Sequence, residues 1–467
     1  LAHGPERADR FPPPGHRVTK PERSRSSLLI TRLTGWAAGV FHDVEVRGGP
    51  IPDGPVLVVA NHPNSLLDPL LVFRAAGRPT RPLAKAPLFE QAIVGSVLRA
   101  LGGLPVYRRQ DDASLMHQNE RTFDAAIDAL RQGHAIQIYP EGRSHSSPAL
   151  MPLRTGAARI ALGAEDRSGW ALGLRIVPVG LTYRGKTAFR GDVLVVIGEP
   201  FDLSGLRPDF DADPVAAVRA LTATIARRLE QVTLNLASDE DEALIDTAER
   251  LYVREKGWHR WRERDGLAER LPRLQAFARG LAWLRANDPE GLLRLQRAVR
   301  GYHRGLALFG ASEADVPPRY GPGPVLRYAL REGLALLLLA LPAAAGAVIW
   351  APAYRMPRLV IDMVKPEFEA IATYKLATAF FAVPITCILV GGIVAFAVGP
   401  LSGIVAALLA PLTGLAAIHI FERWRRVRED IRVFLRALRS RRGPGRLAAQ
   451  RAALAAEFDQ ILSAMDS

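Results

Sequence analysis

Between residues 41 and 206 the chain alternates short apolar runs with longer stretches in which apolar residues recur every three or four positions. The short runs read as strands at 56–60, 81–84, 104–106, 135–139, 176–183 and 193–197, the first being rich in β-branched residues and bounded by turn formers. The longer stretches read as helices at 69–76, 89–100, 116–131 and 155–164. In the helix at 116–131, Phe123, Ile127 and Leu130 share one face, as a helix packed on a sheet requires. The alternation predicts an α/β domain with a mixed sheet flanked by helices, covering residues 27–206.

The pattern then changes. Residues 207–325 are charged and helical in period, and Pro317 to Pro324 form a Pro/Gly-rich linker. Residues 333–354 carry no charge and are long enough to cross a bilayer, and 376–421 are charge-free over about twice that length. Gly399-Pro400 interrupts the second run near its middle, so a hairpin of 376–398 and 401–421 is expected. Two readings fit 333–354: a third span, or a re-entrant segment interrupted at Pro342, Gly346 and Pro352. Together 326–422 form the membrane region, and 423–467 form a basic helical tail. At the other end, residues 1–26 read as a flexible basic tail. Residues 27–41 are apolar but too short to span, which fits either an interfacial helix or an ordinary core helix. Tyr252, Trp258 and Trp261 are expected in a core, and His259 and His303 as ordinary polar residues.

Charge sharpens this picture. With 61 Lys and Arg against 47 Asp and Glu, the 467 residues carry a formal charge of +14. That balance favours anionic partners, either nucleic acid or an anionic lipid surface. No nucleic-acid-binding motif accompanies the charge, and the apolar segments select anionic membrane lipids instead. The arginines after Phe421 and the cations of 355–375 put both flanks of the hairpin on the cytoplasmic face of the cytoplasmic membrane. The single cysteine, Cys387, can close no internal disulfide and belongs to no metal-ligand spacing, so no metal is expected.

The candidate chemistry sits just past the first strand, in NHPNSLLD at 61–68. His62 and Asp68 there lie at the carboxyl end of a strand, where α/β sheets place their sites. A histidine can act as general base while an aspartate holds its other ring nitrogen. No serine or cysteine nucleophile signature accompanies them, which suggests that the base activates a hydroxyl of the substrate. A six-residue step on one helix would turn the two side chains about 120° apart, so His62 must lie on a loop ahead of the helix that bears Asp68.

Three further stretches follow in order: GGLPVYRR at 102–109, YPEGRSHS at 139–146 and RIVPVGLTY at 175–183. With the first, they resemble the four blocks of the glycerolipid acyltransferase family, over roughly residues 40–205. The spacing of five residues between His62 and Asp68 is similar to the branch of fungal-type glycerol-3-phosphate acyltransferases. Most of the family has four.

The resemblance implies an integral-membrane O-acyltransferase of phospholipid synthesis whose catalytic domain faces the cytoplasm. It implies acyl-CoA or acyl-carrier protein as cosubstrate and no bound cofactor. The acceptor would be 1-acylglycerol 3-phosphate, with glycerol 3-phosphate or another lysophospholipid as alternatives. A membrane scaffold that kept the fold without catalysis is the alternative of another class. The family pattern assigns His62 as base, Asp68 as its orienting partner, and Lys85, Arg108, Glu141, Gly142 and Arg143 to the acceptor. Pro178 falls on the wall of the acyl channel. One departure stands out: the family's third block continues Thr-Arg-Ser after Pro-Glu-Gly, whereas this chain has Arg143-Ser144-His145.

Overall fold

In the computed structural model the described residues are 35, 38–39, 41–107, 118–256, 266–308, 322–439 and 443–466. The basic tail at 1–26, most of the 27–41 segment, Arg108, Trp258, His259, Trp261 and residues 317–321 of the linker lie outside them.

The first domain is built in the order β1 (His42–Arg47), β2 (Val56–Ala60), α1 (Leu67–Ala76), β3 (Thr80–Lys85), α2 (Pro87–Glu90), α3 (Ala92–Ala100), β4 (Leu104–Val106), α4 (Gln118–Arg131), β5 (Ala135–Ile138), α5 (Gly156–Asp166), β6 (Arg175–Arg184) and β7 (Gly191–Ile197). The seven strands form one sheet in the order β1-β7-β6-β2-β5-β3-β4. All neighbours are parallel except β6 and β7, so the sheet is mixed, as the pattern predicts. Strand β1 was not expected. Its sequence HDVEVR is too polar to read as a buried run, and it forms at the sheet edge only because β7 offers it a ladder.

β2 shows why a continuous apolar run is favoured at the centre. Leu57 and Val59 enter a core with Ala126, Leu130, Ile160 and Leu229, while Val56, Val58 and Ala60 enter the opposite core with Leu67, Leu71 and Val177. A strand covered on both faces favours a near-continuous apolar run, and a polar residue in one needs hydrogen-bond partners, as Gln137 of β5 has. Ala38 and Phe41 are buried in that second core, so the described end of the 27–41 segment packs on the sheet.

After the sheet come α6 (Arg207–Ala212), α7 (Pro214–Val232), α8 (Asp239–Glu255), α9 (Leu267–Asn287), α10 (Pro289–Leu308), α11 (Pro322–Val364), α12 (Ile371–Val398), α13 (Pro400–Arg439) and α14 (Gly443–Asp466). Helix α7 belongs to the α/β domain, where Leu221, Ile225 and Leu229 close its core. Helices α8, α9, α10 and α14 make a separate bundle, in which Leu251, Phe277, Leu295, Tyr302, Leu454 and Phe458 pack together.

Within the basic helical tail of 423–467, α13 runs on to Arg439, and α14 folds back onto the bundle through Tyr252 and Lys256 to Asp459 and Arg451 to Glu255. The linker is shorter than expected, because Pro322 to Pro324 already form the first turn of α11, where proline loses no hydrogen bond. Tyr252 is buried, and His303 Nε2 lies 3.1 Å from Thr247 Oγ1.

Among the described residues three stretches are long and apolar enough to cross a membrane: Leu330–Val364, Ile371–Val398 and Pro400–Arg425. Prolines 342, 352 and 357 lie inside α11, which continues through them. α12 and α13 turn at Gly399, whose φ is +127°.

Candidate active site

The site forms where β2 ends. Asn61, the first residue past the strand, clamps its amide to the neighbouring strand: Nδ2 donates to the Leu181 carbonyl (2.9 Å) and Oδ1 accepts from the Leu181 N–H (2.7 Å). This fixes the chain direction just before His62. The next residues make a tight loop rather than a helix, with Ser65 at φ +42°. The loop places His62 ahead of α1, as the spacing argument requires, and Asp68 in its first turn.

Here the two residues meet. His62 Nδ1 lies 2.8 Å from Asp68 Oδ2. Asp68 is fully buried, whereas the His62 side chain is 18% exposed. The carboxylate accepts two further bonds: the Asn64 N–H reaches Oδ2 at 2.7 Å, and the Tyr183 hydroxyl reaches Oδ1 at 2.6 Å. A buried charge survives only when its oxygens are satisfied in this way. Burial, with the Asp68 charge second, holds the Tyr183 phenol well above its ordinary pKa, so it stays protonated and donates.

Tyr139 stacks on the His62 ring, with centroids 4.1 Å apart and planes 21° from parallel. Its hydroxyl is held by Gln137, whose other amide atom accepts from Thr80 Oγ1. Burial and then Asp68 raise the Tyr139 pKa as well. Nδ1 is thus engaged and one ring face covered, and Nε2 is the nitrogen left for substrate.

The third block wraps beneath this dyad. Gly142 has φ +76°, a conformation that favours glycine and lets the Pro-Glu-Gly turn reverse. Glu141 is buried and its carboxylate is spent inside the protein: Oε1 accepts the His62 N–H at 2.9 Å, and Oε2 accepts the Met151 N–H at 2.8 Å and meets His145 Nε2. The His145 N–H returns a bond to the His62 carbonyl at 3.1 Å. Glu141 and His145 therefore hold the His62 backbone from below. These partners of the carboxylate are all groups of the protein itself.

Of the predicted cations, Lys85 and Arg143 lie among the described residues. Lys85 is exposed at the end of β3. Arg143 is exposed with Nη2 3.5 Å from Met151 Sδ, and Arg154 lies beside Gly142. Lys186, in the turn from β6 to β7, stands next to the dyad and was not foreseen. Its Nζ donates to the Pro63 carbonyl (3.2 Å) and to Ser146 Oγ (2.7 Å). Pro178 is buried within β6, where its carbonyl accepts from the Gly198 N–H. Tyr139 and Tyr183 also escaped the sequence reading, although each ends an apolar strand beside a motif residue. That position was the available signal. Among the described residues no group of three or more His, Cys, Asp or Glu could hold a metal.

A histidine whose one ring nitrogen is held by a buried aspartate, with the other left open, is an arrangement that can serve as a general base. Residues 43–182 match the model of the Acyltransferase family, and this part of the chain is an acyltransferase domain of the glycerolipid type. Glycerol-3-phosphate O-acyltransferase 2 of Saccharomyces cerevisiae is 33% identical over 135 residues, 29% of this chain and 18% of the yeast protein. Glycerol-3-phosphate O-acyltransferase 1 of the same yeast is 31% identical over 137 residues and is likewise matched over 18% of its length. The match thus covers less than a fifth of either relative. Among solved structures, the 1-acyl-sn-glycerophosphate acyltransferase PlsC of Thermotoga maritima aligns with a TM-score of 0.34 and 24% identity, covering 44% of this chain and 79% of that one.

Proposed function

We propose that this protein is a membrane-embedded O-acyltransferase that moves a fatty acyl group from a thioester to the hydroxyl of a glycerol-phosphate acceptor. The observation that carries the reading is the dyad: Nδ1 of His62 held by a buried carboxylate, and Nε2 on a side chain that is partly exposed. His62 Nε2 takes the proton of the acceptor hydroxyl as its oxygen attacks the thioester carbonyl. The tetrahedral intermediate collapses by breaking the C–S bond. The proton on His62 then passes to the departing thiolate. Asp68 stabilises the imidazolium between these steps. The donor is acyl-CoA or acyl-carrier protein, both thioesters, and no bound cofactor enters the reaction.

For the acceptor, the sequence favours 1-acylglycerol 3-phosphate on the general pattern. The five-residue spacing and the names of the two yeast relatives favour glycerol 3-phosphate, and we carry that as the second reading. Lys85, Arg108 and Arg143 are proposed to meet the acceptor phosphate, and Lys186 is added because it stands beside Pro63. Glu141 and Gly142 are proposed to act through the loop that bears His62. The exposed apolar surface of α11–α13 supports a bilayer as the place of work, with anionic lipid against the basic flanks.

The test is acyl transfer by the purified full chain in detergent. Labelled acyl-CoA and acyl-carrier protein serve as donors, and glycerol 3-phosphate and 1-acylglycerol 3-phosphate as acceptors. Transfer to either acceptor that vanishes in His62→Ala supports the reading, and the ratio between acceptors chooses among the two. Undiminished transfer in His62→Ala removes the mechanism.

A further inference from the structure

Three apolar helices raise a question of parity, because the chain leaves one bundle and returns to it. α8, α9 and α10 precede the apolar region and α14 follows it, yet all four share one core. Both ends of the apolar region therefore lie on one face of any bilayer. An even number of crossings is required, and three helices cannot each supply one.

The contacts show which helix is the exception. α12 and α13 are a close hairpin: a Cβ added to Gly403 would lie 2.4 Å from that of Ala395. The open end of the hairpin sits on the α/β domain. Ala372 is buried in the core with Val58 and Val177, Lys375 Nζ donates to the Thr187 carbonyl, and Glu422 lies 3.7 Å from Arg190. This base level is shared by the start of the apolar stretch of α11, where Glu332 is paired with Arg423. It is also shared by the residues just after α11, because Lys186 Nζ lies 4.8 Å over the Phe368 ring. Both ends of the apolar stretch Leu330–Val364 thus stand near the base.

Between those ends α11 climbs only part of the way. Trp350 Nε1 donates to the Ala410 carbonyl at 3.1 Å, and Gly346 packs against Thr413. Ala410 is 13 residues above Arg423 on α13, about 20 Å at 1.5 Å per residue. A bilayer core is about 30 Å thick. Beyond Trp350 the sequence brings Pro352, Arg355, Pro357, Arg358, Asp362, Lys365 and Glu367. Prolines permit a helix to bend, and these charges suit a return to the headgroups.

We propose that α11 is re-entrant: it enters and leaves the bilayer on the face that carries the α/β domain, and only α12 and α13 cross. The inference rests on the membrane reading of these helices. It places the loop between β6 and β7, which touches both Pro63 and Asn64 beside His62 and the helix bases, at headgroup level.

Single cysteines in a Cys387→Ser background test it. The full chain is reconstituted in sealed vesicles and treated with an impermeant maleimide before and after detergent. Arg300→Cys on α10 marks the face of the bundle, Leu401→Cys marks the hairpin tip, and Lys365→Cys reports on α11. The expected result is that Lys365→Cys labels in the same fraction as Arg300→Cys, with Leu401→Cys in the complementary fraction. Labelling of Lys365→Cys with the Leu401→Cys fraction makes α11 a crossing and overturns the proposal. So does labelling of Leu401→Cys with the Arg300→Cys fraction. Release of the chain from vesicles by carbonate is a separate outcome: it rejects the membrane reading itself, and the proposal with it.

Discussion

Replacing Asp68 by asparagine separates the charge of this residue from its shape. Three donors converge on the carboxylate: His62 Nδ1, the Asn64 N–H and the Tyr183 hydroxyl. The Asn64 donor belongs to the backbone and cannot turn away, and it shares Oδ2 with His62. The amide oxygen of an asparagine must therefore take the Oδ2 place. Its NH2 then faces Tyr183, whose hydroxyl can rotate to accept. The ring tautomer and the fold are preserved, and only the charge opposite the imidazolium is lost. A charge pair about 4 Å apart is worth about 4 kcal/mol at an effective dielectric of about 20. Exposure of His62 lowers that to about 2–4 kcal/mol, which is about 30- to 1,000-fold in rate. Asp68→Ala differs: it strands three donors at about 1–3 kcal/mol each, a large part of ordinary domain stability. Acyl transfer measured beside thermal unfolding in detergent distinguishes the two. The expected result is a slow but folded Asp68→Asn and a slow, destabilised Asp68→Ala. An Asp68→Asn enzyme at wild-type rate would refute the role given to the carboxylate.

The other expectations are briefer. His62→Ala should lower transfer by about two to four decades with little change in folding, read by steady-state kinetics. Tyr183→Phe removes one charge-assisted bond, so kcat should fall about tenfold with KM for both substrates unchanged and stability lower by about 1.5–3 kcal/mol; an unaltered kcat would count against it. Arg108→Ala should raise KM for the phosphorylated acceptor more than for the acyl donor, and equal effects would dismiss a phosphate contact. His42 is fully buried, and burial, with Arg190 second, lowers its pKa to about 4. The unfolded chain then binds the proton more readily, so stability is full above the ordinary imidazole range and is lost as pH falls towards 4. The loss between pH 7 and pH 5 should be about 2 kcal/mol, and His42→Phe should flatten it in thermal melts.

Much of this protein is written locally. The strand β2 is legible because, covered on both faces, it has no polar residue to hide, and the dyad because His62 and Asp68 lie six residues apart. The five-residue gap itself dictates a loop before α1. The hairpin at Gly399-Pro400 is equally local, since a charge-free run of 46 residues from 376 to 421 with a breaker near its middle leaves little choice. What tertiary structure decided lies in partners distant in sequence. Tyr183 reaches Asp68 across 115 positions, and Glu141 spans 79 to the His62 N–H. The carboxylate of Glu141 faces inward because two backbone donors and His145 are there to meet it, which no motif records. β1 exists because β7 lies beside it. The fold-back of α14 onto α8–α10, through Asp459 and Arg451, fixes both ends of the apolar region on one face, because one packed core cannot be divided by a bilayer. Hydropathy measures only how well each segment suits lipid, and it is blind to where the chain must return.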